Sequence, residues 1–175
     1  MAFDAFRGEF GSRMDSKARV SIPAAFRRIL DQGAATAEPG RTRLVLIYGD
    51  PRRKFVAGYS LAGAERLADQ IRALPLGSPA RRALERHMVV QSVTVEIDDD
   101  GRIVLPPPVR AKIGLSGEDG LSEVVFTGAL DYFELWKRAV YDSEMAELDQ
   151  LDAGLLGEGE DILSLLGRAG QAAGA

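Results

Sequence analysis

Asp15-Ser16-Lys17-Ala18-Arg19-Val20-Ser21-Ile22-Pro23 returns further along the chain as Asp98-Asp99-Asp100-Gly101-Arg102-Ile103-Val104-Leu105-Pro106. The pairs Asp15/Asp98, Arg19/Arg102, Pro23/Pro106 and Arg27/Arg110 are all displaced by 83 residues, with no gap between them. Apolar positions keep the same step, Val20 matching Ile103, Ile22 matching Leu105 and Phe26 matching Val109. Self-similarity at one fixed displacement marks a duplicated supersecondary unit.

Each copy reads as strand, turn, strand, helix. A strand is expected over Gly8 to Met14 and again over Gln91 to Ile97, where Val93, Val95 and Ile97 alternate. Aspartate suits the turn that follows because its carboxylate accepts nearby backbone amides, and Gly101 tolerates positive φ. Short second strands follow, Arg19 to Ile22 and Arg102 to Leu105. Pro23 and Pro106 stand where proline opens a helix, its missing N–H costing nothing there. The first helix is expected to pack Phe26, Ile29 and Leu30 and stop before Gly33. The second packs Val109 and Ile113, with Gly114 as its cap.

Beyond each unit a further strand is expected, Arg43 to Tyr48 and Glu123 to Thr127. Each leads to a turn, an aromatic cluster (Phe55 and Tyr59; Tyr132, Phe133 and Trp136) and a helix, Leu61 to Ala73 or Lys137 to Leu148. Another helix is expected over Ala80 to Met88, and Pro75, Gly77 and Pro79 punctuate the passage between halves. The organisation is a first domain over 6–74, a linker and helix over 75–90, a second domain over 91–150, and a flexible tail over 151–175. That tail is rich in glycine, alanine and acid, and reads as mobile or weakly helical.

Composition narrows the chemistry. The 175 residues include no cysteine and one histidine, His87. Disulfides, thiolate metal sites and a Ser-His-Asp relay are therefore excluded. Asp98-Asp99-Asp100-Gly101 lacks the alternating acids and distal glutamate of a calcium loop. His87, following Arg81, Arg82 and Arg86, reads as a helix-surface residue, and the aromatics around Trp136 read as core. No glycine-rich phosphate loop or nucleophile–base pair is present, so no enzyme activity, cofactor or metal is expected. The opening residues resemble no secretory signal, no stretch is long and apolar enough for a membrane span, and a cytoplasmic protein is expected. Net charge is −4, but its distribution is lopsided: residues 1–88 hold 16 Lys/Arg against 9 Asp/Glu, residues 89–175 hold 6 against 17. Such asymmetry fits a basic surface for an anionic partner, or simply differently charged solvated faces.

Phe6-Arg7-Gly8, the Asp15–Pro23 stretch, Asp98-Asp99-Asp100-Gly101-Arg102 and Phe133-Glu134-Leu135-Trp136 together resemble the MraZ family of bacterial transcriptional regulators, from about Phe6 to Leu148. The resemblance implies an α+β fold of two tandem SpoVT-AbrB-like swapped-hairpin units forming one pseudo-symmetric core with flanking helices. It implies a repressor that binds repeated sites on double-stranded DNA in the promoter of the division and cell-wall gene cluster, its own gene included. It also implies a ring-shaped homo-oligomer on the nucleoid, with no membrane. Ala18 departs from the glycine usual in the family, and fits if its φ stays negative.

The candidate DNA contacts are Arg19 and Arg102, with Lys17, Arg7 and Arg13 around them and Arg27 and Arg28 as further basic positions. Arginine's planar fork matches phosphate oxygens or guanine O6 and N7. The rival reading pairs each arginine with the aspartate four residues earlier, merely closing the turn; duplication and resemblance favour the DNA role. Asp15, Asp98, Gly101, Pro23 and Pro106 structure the loops. Lys17, opposed in the second copy by Asp100, biases phosphate affinity toward the first copy. The alternative function is an antitoxin-like protein-interaction module on the same fold, its acidic half wrapping a basic partner.

Overall fold

In the computed structural model, residues 5–33, 40–115 and 122–172 are described. The fold is mixed α+β. Residues 1–138 form one compact unit and residues 139–175 a second.

Among the described residues the first unit holds eight strands: β1 (Glu9–Met14), β2 (Arg19–Ser21), β3 (Arg43–Ile47), β4 (Val56–Ser60), β5 (Ser92–Glu96), β6 (Arg102–Val104), β7 (Ser122–Gly128) and β8 (Phe133–Lys137). Among them lie helices α1 (Ala24–Gly33), α2 (Leu61–Arg72), α3 (Pro79–Leu84), which continues into a π-helical turn at Glu85–Val90, and α4 (Pro107–Ile113). The second unit is built from α5, which starts at Arg138 and ends at Ala153, and α6 (Ser164–Ala172). Helical structure thus extends beyond the expected Leu148 and into the tail.

Six strands form one antiparallel sheet in the order β1-β7-β8-β4-β3-β5, while β2 and β6 pair as a separate two-stranded ladder. The order is its own mirror under exchange of the repeats. The first strand of each repeat pairs with the third strand of the other, Arg13 opposite Glu123 on one edge and Leu44 opposite Val95 on the other. At the centre β4 pairs with β8, Gly58 lying opposite Phe133.

The strands β4 and β8 absorb the aromatic residues that the sequence reading placed loosely between turn and helix. Continuing their register, Phe55 faces Trp136 with ring centroids 4.8 Å apart, and Tyr59 faces Tyr132 at 5.2 Å. Cross-strand aromatic pairs of this kind stabilise a sheet beyond their buried area. Trp136 is 4% exposed and belongs to the core, as expected.

The interior is assembled from repeat-related pairs. Met14 and Ile97, Val20 and Ile103, Ile22 and Leu105, Phe26 and Val109, Leu30 and Ile113 are each 83 apart and all buried. Phe26 is the hub on the first-repeat side, meeting Phe6 and Phe10 edge-on at 5.3 Å and stacking on Phe133 at 5.5 Å. Pro23 and Pro106 lie one position outside their helices: Arg27 N–H donates to the Pro23 carbonyl at 3.0 Å, and Arg110 N–H to that of Pro106 at 3.1 Å. Each proline therefore caps its helix, and Pro107 opens α4. Gly114 closes α4 with φ of 70°, the left-handed cap expected there.

Gly58 is required by its neighbour rather than by its own backbone angles. A Cβ there would lie 2.1 Å from Cζ of Phe133, a ring with no exposed surface. Gly58→Ala is expected to destabilise the first unit by about 1–3 kcal/mol, because the ring has nowhere to retreat in a filled core. A urea titration followed by Trp136 fluorescence measures this.

Candidate nucleic-acid interface

The site begins with two turns that use the same bonds. Asp15 Oδ1 accepts the backbone N–H groups of Lys17 and Arg19, both at 2.9 Å, and its Oδ2 accepts Nε of Arg19 at 2.7 Å. Asp98 Oδ1 accepts the N–H groups of Asp100 and Arg102, again both at 2.9 Å, and its Oδ2 accepts Nε of Arg102 at 3.1 Å. Loop closure follows identically, Asp15 N–H to Arg19 carbonyl at 3.0 Å and Asp98 N–H to Arg102 carbonyl at 2.8 Å.

The two turns also lock each other. Ile22 N–H donates to the Gly101 carbonyl at 2.9 Å, and Leu105 N–H donates to the Ala18 carbonyl at 2.8 Å. Between these bonds runs the β2·β6 ladder, with Arg19 opposite Val104, Val20 opposite Ile103 and Ser21 opposite Arg102. Val20 and Ile103 point into the core at 1% exposure. Strand alternation therefore turns Arg19, Ser21, Arg102 and Val104 to the other face. A short ribbon carrying two arginines is held from both ends by two carboxylates and two cross-repeat bonds.

The shared conformation corrects the expectation for Ala18. Its φ is 60°, beside 76° at Gly101. The amide bonds that Asp15 collects force the fourth turn residue into the left-handed region whichever side chain it bears, at a cost of about 1–2 kcal/mol for alanine. The difference between copies has a use. At Gly101 a Cβ would stand 2.2 Å from Nη1 of Arg27. Arg27 thus lies across the glycine with its Nε buried and without a partner among the described residues, rather than spreading over a basic surface. Its repeat counterpart Arg110 donates Nε to the Leu105 carbonyl at 3.1 Å, while Ala18 keeps its methyl in the core.

The remaining candidates scatter. Lys17 is exposed at the tip of the first turn, beside Arg19. Arg13 is exposed on β1 and paired at 3.4 Å with Glu123 of the neighbouring strand. Arg7 lies before β1, about 20 Å of strand away from the turn at ~3.3 Å per residue. Exposed Arg28 lies on α1. His87 is half-buried rather than on the surface, its Nδ1 2.8 Å from the Gly49 carbonyl. Residues that sequence reasoning passed over are Ser21 and Val104; the signal was their alternation with the apolar pairs of each strand.

The copies differ in electrostatics as well. Besides Asp98, Arg102 meets Asp100, Nη2 to Oδ2 at 2.8 Å, whereas the side chain of Arg19 is paired, among the described residues, with Asp15 alone. Asp99 is paired with Arg41 at 3.6 Å. Both turn aspartates, Asp15 and Asp98, are held below the usual carboxylate range, chiefly by the backbone amides of Arg19 and Arg102. A folded value below the unfolded one means the ionised carboxylate supports the turn above the ordinary carboxylate range. That support is lost as pH falls through the lowered value. Amide-exchange protection of Lys17, Arg19, Asp100 and Arg102 is therefore expected to persist from neutral pH through the ordinary carboxylate range and to be lost only below it, read by NMR.

Comparison with known proteins places the chain in a lineage. The chain is 44% identical over 169 residues to the transcriptional regulator MraZ of Cereibacter sphaeroides, covering 95% of this chain and 98% of that one. The chain belongs to the MraZ family. The MraZ family model, described as "MraZ protein, putative antitoxin-like", matches residues 88–153. The MraZ regulator of Ruegeria pomeroyi is 44% identical over 140 residues, 79% of this chain and 81% of its own. That of Leuconostoc mesenteroides is 32% identical over 156 residues, 86% and 96% of the two chains. No helix among the described residues is long and apolar enough to cross a membrane.

Proposed function

We propose that this MraZ-family chain is a sequence-specific, DNA-binding transcriptional repressor acting by occupancy rather than catalysis. The observation that carries the reading is the cross-locked β2·β6 ribbon, which turns Arg19 and Arg102 away from the core on a scaffold shared by both repeats. A two-stranded ribbon fits the major groove of B-DNA, and preorganised guanidinium groups reach phosphates and guanine edges from it. The strand exchange between repeats supports reading them as AbrB-like swapped hairpins, domains 6–74 and 91–150 joined by 75–90, with 151–175 as a flexible tail. Lys17 supplies phosphate contact at the first turn, and Arg7 and Arg13 extend it along the flank.

On this reading the protein works in the cytoplasm on the nucleoid as a ring-shaped homo-oligomer. The ring grips repeated sites in the promoter of the division and cell-wall gene cluster, which includes its own gene. Several weak ribbon contacts on one ring gain avidity from repeated sites, and the bound ring occludes the promoter. Fluorescence anisotropy with duplex DNA from upstream of the protein's own gene tests this. Affinity is expected to fall linearly in log–log form with salt, with a slope of about −0.9 per phosphate neutralised. Equal binding to that duplex and to a scrambled one would refute sequence specificity.

A second reading is a protein-interaction module, favoured by the antitoxin-like description of the family model and by the acidic second unit, which exposes Leu151, Leu155, Leu163 and Leu166. Co-purification of the native protein with a stoichiometric small basic protein would support that reading.

A further inference from the structure

Val104 is 56% exposed on the ribbon face, directly opposite Arg19. Its repeat counterpart, 83 residues earlier, is Ser21, which faces Arg102. Valine is a good strand former, and single exposed valines are ordinary on protein surfaces. The ladder itself does not require one, however, since the same position of the same short strand is filled by serine in the other repeat. The outward face is thus a quartet of two arginines, one hydroxyl and one branched apolar side chain, and only the last two break its pseudo-symmetry.

Resting on the reading of the ribbon as the DNA-contacting element, we propose that Val104 is a specificity-determining residue that packs on the C5-methyl group of a thymine. That methyl is the one apolar feature that the unmodified bases present in the major groove. The opposite quadrant, Ser21, offers a hydroxyl that serves a donor or an acceptor equally and so discriminates less. The ribbon therefore reads a non-palindromic site in one orientation: Val104 contacts a thymine on one side, and Ser21 occupies the matching place on the other.

The test uses the full-length chain and a duplex selected by it from a random-sequence library. Each thymine of that duplex is replaced in turn by uracil, which removes the methyl group alone. Wild type is expected to lose about three- to five-fold in affinity at one thymine per repeat, the scale of one buried methyl group. Val104→Ser is expected to bind the thymine and uracil duplexes alike, and Val104→Ile to keep the wild-type sensitivity. Ser21→Val is expected to acquire a second methyl-sensitive position. Uracil sensitivity unchanged in Val104→Ser, or absent from wild type at every thymine, overturns the assignment while the DNA-binding reading stands. Enrichment of no sequence by the wild-type chain overturns both.

Discussion

Phe26→Ala is expected to destabilise the first unit by about 3–5 kcal/mol, the range for removing a buried aromatic ring. Phe26 has no exposed surface, sits on α1 behind the ribbon, and meets three other phenylalanine rings from β8, β1 and the segment before it. Neighbouring rings cannot collapse into the space without abandoning their own partners, so the cavity persists. Since a domain's whole stability is about 5–15 kcal/mol, the loss is a large share of it. Urea denaturation followed by Trp136 fluorescence measures it, with a lowered midpoint at unchanged slope as the expected result. The second repeat places Val109 at the same position, and Val109→Ala removes less volume. It is expected to cost less than half as much.

The second large effect concerns binding. Arg19→Ala is expected to weaken DNA affinity by at least tenfold, and Arg102→Ala by distinctly less. A bidentate arginine contact is worth about 1–3 kcal/mol, and one unit of 1.4 kcal/mol is tenfold. The inequality follows from the salt bridges among the described residues: Arg102 is engaged by Asp98 and Asp100 together, Arg19 by Asp15 alone. To reach DNA, Arg102 must leave Asp100, and Asp100 also repels phosphate. Asp100→Asn is therefore expected to tighten binding severalfold and to bring the two repeats closer to equality, measured by anisotropy at fixed salt. Equal losses from the two single alanine variants would contradict the electrostatic asymmetry.

Much of this arrangement was legible because it was written twice. The 83-residue displacement fixed the turns, the ribbon strands, the apolar pairs and both ribbon arginines together. Strands β4 and β8 escaped notice because Phe55-Val56-Ala57-Gly58-Tyr59 is buried on nearly every side and lacks the alternation of a half-exposed strand. The pairing of each repeat's first strand with the other's third leaves no trace in spacing, since either pairing satisfies the same apolar pattern. The angle at Ala18 was misjudged because alanine's own preference was weighed without the two amide bonds that Asp15 imposes on the turn. Arg27 was read as a surface cation, yet the missing side chain at Gly101, far off in sequence, is what lets it lie inward. The bond between Arg102 and Asp100 has no counterpart in the sequence reading, which sets Asp100 only against Lys17; its effect is to restrain that arginine.

The most direct measurement is the affinity of the double variant Arg19→Ala/Arg102→Ala for duplex DNA from upstream of the protein's own gene, beside wild type at the same salt. Circular dichroism and sedimentation of the same samples report fold and assembly. The proposed role of the ribbon as the DNA-contacting element predicts loss of specific binding with both unchanged. Wild-type affinity in a folded double variant would contradict it.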